Sequence, residues 1–243
     1  MIGILYAVSL HFQTMKILFI TGIDTGIGKT YVGRILVKAL IKAGHSCIPR
    51  KPVESGCDII DGELIPEDAL KYFHATHGKI PLEEICPYRY EPPISPERAI
   101  RLAGDIVTIK NLVASCTPTN QPDYLFVEGA GGFYSPLCTD GLNADLAQNL
   151  EAGVILVVKD RLGCINQTLL NIEAIQNREL KLLAIVLNQT CVHEESSMDN
   201  LDDLRIRLSI PVIAIPNMVD ADHGMLDMQN NSIDELLKII EKY

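Results

Sequence analysis

The sequence predicts an α/β fold, in which a doubly wound, mostly parallel sheet is flanked by helices. Apolar, β-rich runs alternate with helical patterns along the chain, as expected for parallel strands joined by crossover helices. The 243 residues are 47% hydrophobic but only 5% aromatic, so the core is mainly aliphatic. An aliphatic core is typical of a sheet that helices bury on both faces. A glycine-rich turn between the first strand and the first helix is the third indication.

The predicted elements follow one another in strand–helix order. Residues 16–21 form the first apolar run, and the helical pattern of residues 29–43 follows it. Further runs of strand length predict strands at 46–51, 124–127, 154–158, 182–187 and 212–214. Helical periodicity between these runs predicts helices at 67–74, 96–104, 109–115, 143–150, 165–178 and 201–208.

The remaining segments are the two ends of the chain and the longer connections. A last helix is predicted from Ser232 to the C-terminus, because residues 232–235 match a capping box. Segments 78–95, which is rich in Pro, and 219–231 are predicted as loops. We interpret residues 15–243 as a single domain. Residues 1–14 lack the basic segment of a secretory signal and are too short to span a bilayer, so we interpret them as a dispensable extension.

The glycine-rich turn, residues 21–30, has the sequence TGIDTGIGKT and is called the phosphate loop below. Its glycines let backbone N–H groups converge on an anion, and the following helix N-terminus adds a partial positive charge. Lys29 would then reach the terminal phosphates, and the hydroxyl of Thr30 would hold Mg²⁺. Gly22 and Gly28 bracket five residues, one more than in the common pattern. We interpret the loop as nucleotide-binding and the fold as of the P-loop NTPase type; the alternative is a turn that binds nothing.

Polar residues follow other predicted strands and could complete this site. Glu128 ends an apolar strand and precedes a Gly-Ala-Gly-Gly turn, so we expect its carboxylate at the ligand-binding edge of the sheet, where it could bind Mg²⁺. The alternative is a capping or solvated acid. Lys51 would lie beside the phosphate loop if its strand neighbours the first strand, and could then neutralise a transferred phosphoryl group. Taken alone, Lys51 could equally be a surface lysine, Asp68 a helix cap and Asn188 a turn residue.

Composition restricts the partners and the compartment. The net charge of −10 argues against nucleic acid and anionic membranes as partners, because both attract basic surfaces. The seven cysteines are scattered without a Cys-x-x-Cys pair, which indicates reduced thiols in a cytoplasmic protein.

Four motifs, in order, resemble those of the dethiobiotin synthetases, the ATP-dependent enzymes that close the ureido ring in biotin synthesis. They are the phosphate loop, the Lys-Pro-Val-x-Ser-Gly segment at 51–56, the Glu-Gly-Ala-Gly-Gly segment at 128–132 and the Leu-Gly-Cys-Ile-Asn segment at 162–166. The resemblance runs from Met15 to about Met218. Glu54 occupies the variable place in the second motif and carries a charge near the substrate amines, while Gln189 stands where some members have Asp.

The resemblance implies a set of site residues. Lys29 and Lys51 would be catalytic, and Thr30, Asp68 and Glu128 would bind Mg²⁺. The implied ATP-binding residues are Gly26, Ile27, Gly28, Lys29, Thr30, Asp68, Glu128, Gly129, Ala130, Gly131, Asn188, Pro216, Asn217 and Met218. The implied substrate-binding residues are Ser55, Gly163, Cys164 and Asn166.

The resemblance also implies the reaction and its partners. The substrates would be ATP, 7,8-diaminononanoate and CO₂ or bicarbonate, in a homodimer with shared active sites. In the family the 163–166 element of one subunit receives the substrate carboxylate in the other, as suits a helix N-terminus. The competing interpretation is a dimeric regulatory ATPase switch of the partition-ATPase type. Those proteins usually carry Lys before Gly-Gly in the loop, where this chain has Asp24-Thr25-Gly26.

Overall fold

The structure is a computed structural model that describes residues 15–189, 198–216 and 223–243, the last without the side chains of 223–226. Residues 1–14 therefore lie outside the described residues. The strands are β1 (Lys16–Gly22), β2 (Cys47–Arg50), β3 (Val53–Ser55), β4 (Asp58–Ile60), β5 (Glu63–Ile65), β6 (Tyr88–Tyr90), β7 (Tyr124–Glu128), β8 (Pro136–Cys138), β9 (Gly141–Leu142), β10 (Gly153–Lys159), β11 (Leu182–Asn188) and β12 (Val212–Ile215). The helices are α1 (Lys29–Lys42), α2 (Glu67–Ala75), α3 (Leu82–Ile85), α4 (Pro96–Ala103), α5 (Ile109–Cys116), α6 (Asn143–Asn149), α7 (Cys164–Asn177), α8 (Asn200–Arg207) and α9 (His223–Lys242).

The main sheet has six strands in the order β12-β11-β10-β1-β7-β2, and every pair is parallel. These are the strands that the apolar runs predicted, and the α/β fold class is confirmed. Strand β1 lies between β10 and β7, so the strand order reverses at β1. In open α/β sheets ligands bind at such a switch point, outside the carboxyl ends of the strands. The phosphate loop leaves β1 at this point.

The core is aliphatic and continuous. Leu18, Phe19 and Ile20 of β1 are fully buried, as are all residues from Val154 to Val158 of β10. Helix α1 packs against α2 and α9, while α5 packs against α6 and α7 against α8. Burial of both sheet faces explains why the strands are continuous apolar runs and do not alternate. Among the described helices, none is both long enough and apolar enough to cross a membrane.

Three sequence-based expectations need correction. Strand β7 lies between β1 and β2, so the strand that precedes Lys51 does not neighbour the first strand. The segment predicted as a loop at 78–95 contains α3 and β6, which are too short to show periodicity. Helix α9 begins at His223, so residues 223–231 are helical and Ser232 is not a cap. A tertiary contact supports this early turn, because Gln229 donates to the hydroxyl of Tyr31 at 2.7 Å.

Candidate active site

A cavity of about 660 Å³ opens at the carboxyl edge of the sheet beside the phosphate loop. Many of the residues proposed from the sequence line it, namely Gly26, Gly28, Lys29, Thr30, Lys51, Ser55, Asp68, Glu128, Ala130 and Gly131. Thr25 of the phosphate loop also lines it, and the sequence did not point to the other lining residues, which include Tyr31, Lys71, Pro93, Ile94, Ser95, Pro96 and Ser135. The cavity therefore joins three of the four motifs in one space.

Close packing shapes the phosphate loop. Gly28 has a φ of 92° and directly precedes α1. The side-chain amide of Asn188, at the end of β11, donates to the carbonyl of Ile27 at 2.9 Å. A Cβ on Gly28 would stand 2.1 Å from that amide nitrogen. Glycine is thus required twice at this position, by the backbone conformation and by the close approach of Asn188.

Gly28→Ala is expected to abolish nucleotide binding, because the added Cβ would displace Asn188 or the loop. Gly44→Ala is a matched control: its φ is +94° but no atom lies within 4 Å of the added Cβ. In both variants the free energy of unfolding should fall by about 1–2 kcal/mol, because alanine is strained in the left-handed backbone conformation. Calorimetric titration with ADP should show wild-type affinity for Gly44→Ala alone. Equal affinities in the two variants would contradict the role assigned to Asn188.

Lys29 begins α1 and points back over the loop. Its Nζ donates to the carbonyl of Asp24 at 2.9 Å, and the residue is 7% exposed. Burial, together with repulsion from Lys51, lowers the pKa of Lys29 to about 8. A lysine that loses water on burial favours its neutral form, and a bound phosphate would reverse this effect.

Nucleotide affinity is therefore expected to fall as the pH rises through 8. The charged ammonium prevails below its lowered pKa and is lost above it, so ADP should bind about tenfold more weakly at pH 9 than at pH 7. Calorimetry at the two pH values measures this change. Lys29→Arg stays protonated throughout, so its ADP affinity should change by less than about twofold. If wild type and Lys29→Arg lost the same ADP affinity between pH 7 and pH 9, deprotonation of Lys29 would not be the cause of the loss.

The carboxylate of Glu128 connects the parts of the site. Its Oε1 accepts from the hydroxyl of Thr30 at 2.9 Å and from Nζ of Lys51 at 2.7 Å. Its Oε2 accepts from the hydroxyl of Tyr72 at 2.5 Å. Lys51 also donates to the carbonyl of Gly129 at 3.0 Å. Lys51 and Glu128 are both buried, and both carboxylate oxygens of Glu128 accept hydrogen bonds. Hydrogen bonds are stronger in such a low-dielectric interior, so they hold the carboxylate in one orientation.

The lysine of this pair remains charged. Burial alone would lower the pKa of Lys51, but attraction from Glu128 and Asp68 outweighs burial and raises it above its usual value. A permanent ammonium therefore lies in the cavity although no strand places it next to β1. Lys51 lies beside the phosphate loop as expected, but it is held there by Glu128, which also binds Thr30 of the loop.

Asp68 lies in the first turn of α2 and faces the same ammonium. Its Oδ2 lies 3.8 Å from Nζ of Lys51, and its Oδ1 lies 3.3 Å from Nζ of Lys71. Burial opposes ionisation, but the two lysines prevail and lower the pKa of Asp68 below its usual value. Asp68 therefore offers ionised oxygen atoms to the cavity.

The donors in this cavity fit Mg²⁺. The hydroxyl of Thr30 and the carboxylates of Asp68 and Glu128 are hard oxygen ligands. Within the described parts of the chain, no three His, Cys, Asp or Glu residues are grouped closely enough to hold a metal alone. Mg²⁺ in nucleotide sites usually takes only one or two protein carboxylates and completes its shell with phosphates and water. The donor set is of that kind.

Ser55 holds one wall of the cavity. Its hydroxyl donates to the carbonyl of Ile94 at 2.6 Å, and β3 pairs in parallel with β6. These contacts fix the segment 93–96, which lines the cavity opposite the phosphate loop. The substrate contact proposed for Ser55 stays a prediction.

Other proposed residues lie away from this cavity. Gly163, with a φ of 87°, precedes α7, where Cys164 is buried and Asn166 is exposed. Asn188 contacts the loop backbone, and Pro216 is buried just after β12. Asn217 and Met218 lie outside the described residues. The adenine and substrate contacts of these residues remain predictions.

Comparisons with known proteins identify the family. A family model described as an AAA domain matches residues 16–222. The ATP-dependent dethiobiotin synthetase of Aeromonas salmonicida (strain A449) is 35% identical over 221 residues, which cover 88% of this chain and 98% of that protein. The chain belongs to the dethiobiotin synthetase family. The family member from Ruthia magnifica subsp. Calyptogena magnifica is 40% identical over 175 residues, covering 72% of this chain and 80% of that protein. The resemblance inferred from the four motifs is confirmed.

Solved structures show the same fold at low identity. The septum site-determining protein MinD from Pyrococcus horikoshii OT3, complexed with Mg-ADP, has a TM-score of 0.56 and 15% identity, covering 94% of this chain and 96% of that one. A plasmid partition protein from Borrelia burgdorferi has a TM-score of 0.56 and 9% identity, covering 93% and 99%. At such identities the likeness shows the fold alone. The P-loop NTPase type of this dethiobiotin synthetase family member is confirmed, and its relation to partition proteins is structural and distant.

Three residues support the site in this family member through contacts that the sequence did not predict. Tyr72 holds Glu128, and Gly33 of α1 leaves room for it, since a Cβ there would stand 2.0 Å from the tyrosine hydroxyl. The fully buried amide of Asn143 binds Ala130, accepting from its N–H at 2.9 Å and donating to its carbonyl at 2.7 Å. Glu54 is the third, with a pKa that burial raises to about 7 against the attraction of Lys51. Each of these contacts joins residues that are far apart in the sequence, so no local sequence pattern predicts them.

Proposed function

We propose that this protein is an ATP- and Mg²⁺-dependent cyclo-ligase that forms dethiobiotin from 7,8-diaminononanoate and CO₂, releasing ADP and phosphate. The observation that carries the proposal is the buried Lys51–Glu128–Thr30 cluster at the open end of the phosphate loop. In the proposed function, this cluster would hold a permanent cation and oxygen ligands beside the terminal phosphates. Membership of the family supplies the reaction.

The residues divide the work by charge. Lys29 and Lys51 neutralise negative charge on the phosphoryl group during transfer. Thr30, Asp68 and Glu128 would hold Mg²⁺, which when bound supplies further charge neutralisation to the phosphates. Gly26, Ile27 and Gly28 bind the phosphates through the loop backbone, and the turn that contains Gly129, Ala130 and Gly131 closes the site beside them. Hydrogen bonds within the protein already hold Thr30, Lys51 and Glu128 together, so little reorganisation is needed.

The reaction needs no protein nucleophile. One substrate amine and CO₂ form a carbamate, and a carbamate oxygen attacks the γ-phosphorus while the bond to ADP breaks. The resulting carbamic–phosphoric anhydride is attacked at its carbonyl carbon by the second amine. Phosphate leaves with the former carbamate oxygen, and the ureido ring is closed. The protein contributes positioning and charge neutralisation.

Some parts of this function depend on a second subunit. We propose a homodimer in which Gly163, Cys164 and Asn166 of one subunit receive the substrate carboxylate in the other. The surface around the start of α7 supports this, since Leu162 is 77% exposed and Leu170 58% exposed. Burial of such leucines against a second copy would be favourable. On the adenine side, the proposal assigns contacts to Asn188, Pro216, Asn217 and Met218.

We also propose that residues 15–243 act as one domain in the cytoplasm. One hydrophobic core includes residues from the sheet and from α1, α6, α7 and α9. Cys47, Cys57, Cys86, Cys116, Cys138 and Cys164 are buried with free thiols. Reduced thiols are typical of cytosolic proteins.

Phosphate release separates this function from a regulatory ATPase. With ATP and Mg²⁺ alone, the proposed ligase should release phosphate slowly, and the diamine with bicarbonate should accelerate release many-fold. A partition-type switch would hydrolyse ATP at the same rate with or without the amine. If the rate of phosphate release did not change when the diamine and bicarbonate were added, the proposed ligase function would be refuted.

A further inference from the structure

Glu54 lies in β3, between the motif residues Val53 and Ser55, and its side chain is almost completely buried at the cavity wall. One oxygen, Oε1, accepts from the backbone N–H of Asp68 at 2.9 Å. The other, Oε2, accepts from the N–H of Ala69 at 3.0 Å. Both carboxylate oxygens are therefore directed at the first turn of α2, not at a cation.

Helix α2 has no cap of its own. Pro66 occupies the N-cap position and makes no side-chain hydrogen bond to the helix. The first backbone N–H groups of a helix have no partner within the helix, and a buried helix end without partners is costly. Glu54, fourteen positions before Asp68, supplies these partners from another element.

This contact fixes the backbone of the residue that faces Lys51 and the proposed metal. Asp68 is held at its own N–H, so the direction of its side chain depends on the link between β3 and α2. The same helix carries Tyr72, which binds Glu128. Groups that orient a metal ligand from outside commonly change metal affinity 10- to 100-fold when they are removed.

We propose that Glu54 is a positioning residue: by tying the start of α2 to β3, it orients Asp68 and sets the affinity of the site for the divalent cation. The inference rests on the proposed function, because that function assigns Asp68 to the metal.

The test measures Mn²⁺ binding to protein saturated with a non-hydrolysable ATP analogue, by electron paramagnetic resonance. Glu54→Ala should bind Mn²⁺ about tenfold more weakly or worse, and Glu54→Gln, which keeps one acceptor oxygen, should lie between it and wild type. In turnover assays, Glu54→Ala should need more Mg²⁺ for half-maximal rate, with kcat close to wild type at saturating Mg²⁺.

A matched control removes a helix cap elsewhere. Thr108 caps α5 by accepting from the N–H of Asn111, so Thr108→Ala should lower thermal stability and leave Mn²⁺ affinity unchanged. Wild-type Mn²⁺ affinity in Glu54→Ala would overturn the inference; if that variant does not fold, wild-type affinity in Glu54→Gln overturns it. Asp68→Asn separates the inference about Glu54 from the proposed function. If Asp68→Asn bound Mn²⁺ more weakly while the Glu54 variants bound it like wild type, the inference would fail and the proposed function would stand. Absence of nucleotide-dependent Mn²⁺ binding in wild type would overturn both.

Discussion

Lys29→Ala is expected to lower kcat/KM by more than a hundredfold. Loss of one cationic donor to the migrating phosphoryl charge removes about 3 kcal/mol or more of transition-state stabilisation, as does loss of an oxyanion donor. Among the described residues, Nζ of Lys29 donates a hydrogen bond only to the backbone carbonyl of Asp24 and forms no salt bridge within 4 Å. Its removal should therefore leave the fold intact. Steady-state kinetics with ATP, bicarbonate and the diamine measures the effect, and thermal denaturation checks the fold.

The companion variant Lys29→Arg separates charge from shape. Arginine keeps the positive charge but replaces a compact ammonium with a planar fork. We expect it to bind ADP at pH 7 and to recover only part of the rate. Near-normal turnover in Lys29→Ala would refute the role of Lys29 in phosphoryl transfer.

Lys51→Met is expected to remove activity and to lower the free energy of unfolding by about 3–5 kcal/mol. Removal of one member of a buried ion pair leaves the other charge without compensation. Here the remaining charge is Glu128, which is 1% exposed and, within the described ranges, keeps only the hydroxyls of Thr30 and Tyr72 as donors. Chemical denaturation measures the loss of stability, and the ligase assay measures the loss of rate.

The double variant Lys51→Met/Glu128→Gln distinguishes stability from catalysis. Without the buried negative charge, most of the lost unfolding free energy should return, because a neutral amide can share the remaining hydrogen bonds. The activity should not return, because the cation and a proposed metal ligand are both absent. If the double variant were no more stable than Lys51→Met, the two side chains would not be coupled as the 2.7 Å contact indicates.

The sequence predicted those features that depend on local patterns. Five of the six sheet strands contain continuous apolar runs because both faces of the sheet are buried, and such runs are visible without a structure; the exception is β2, which has the sequence Cys-Ile-Pro-Arg. The phosphate loop is visible because its backbone favours glycine: at Gly28 a Cβ would strain the backbone and stand 2.1 Å from the amide nitrogen of Asn188. The roles of Lys51 and Asp68 came from the family resemblance, since each alone has an ordinary alternative.

What escaped prediction depends on contacts between distant segments. Tyr72 and Glu128 are 56 positions apart, and neither their spacing nor their residue types predict the hydrogen bond between them. The sequence placed the charge of Glu54 near the substrate amines but did not predict that Glu54 caps a helix that lacks a local cap. The predicted start of the last helix was wrong because a polar stretch before Ser232 becomes helical when it packs against α1. Tertiary packing overrode the local signal there.

Mass spectrometry of the products tests the central claim most directly. Purified protein would be supplied with ATP, Mg²⁺, 7,8-diaminononanoate and carbon-13 bicarbonate. We expect a cyclic urea that carries the heavy carbon, with one phosphate released for each ring formed. Lys29→Ala should form it more than a hundredfold more slowly, and Lys51→Met should not form it. Release of phosphate without the labelled urea from the wild-type protein would contradict the account.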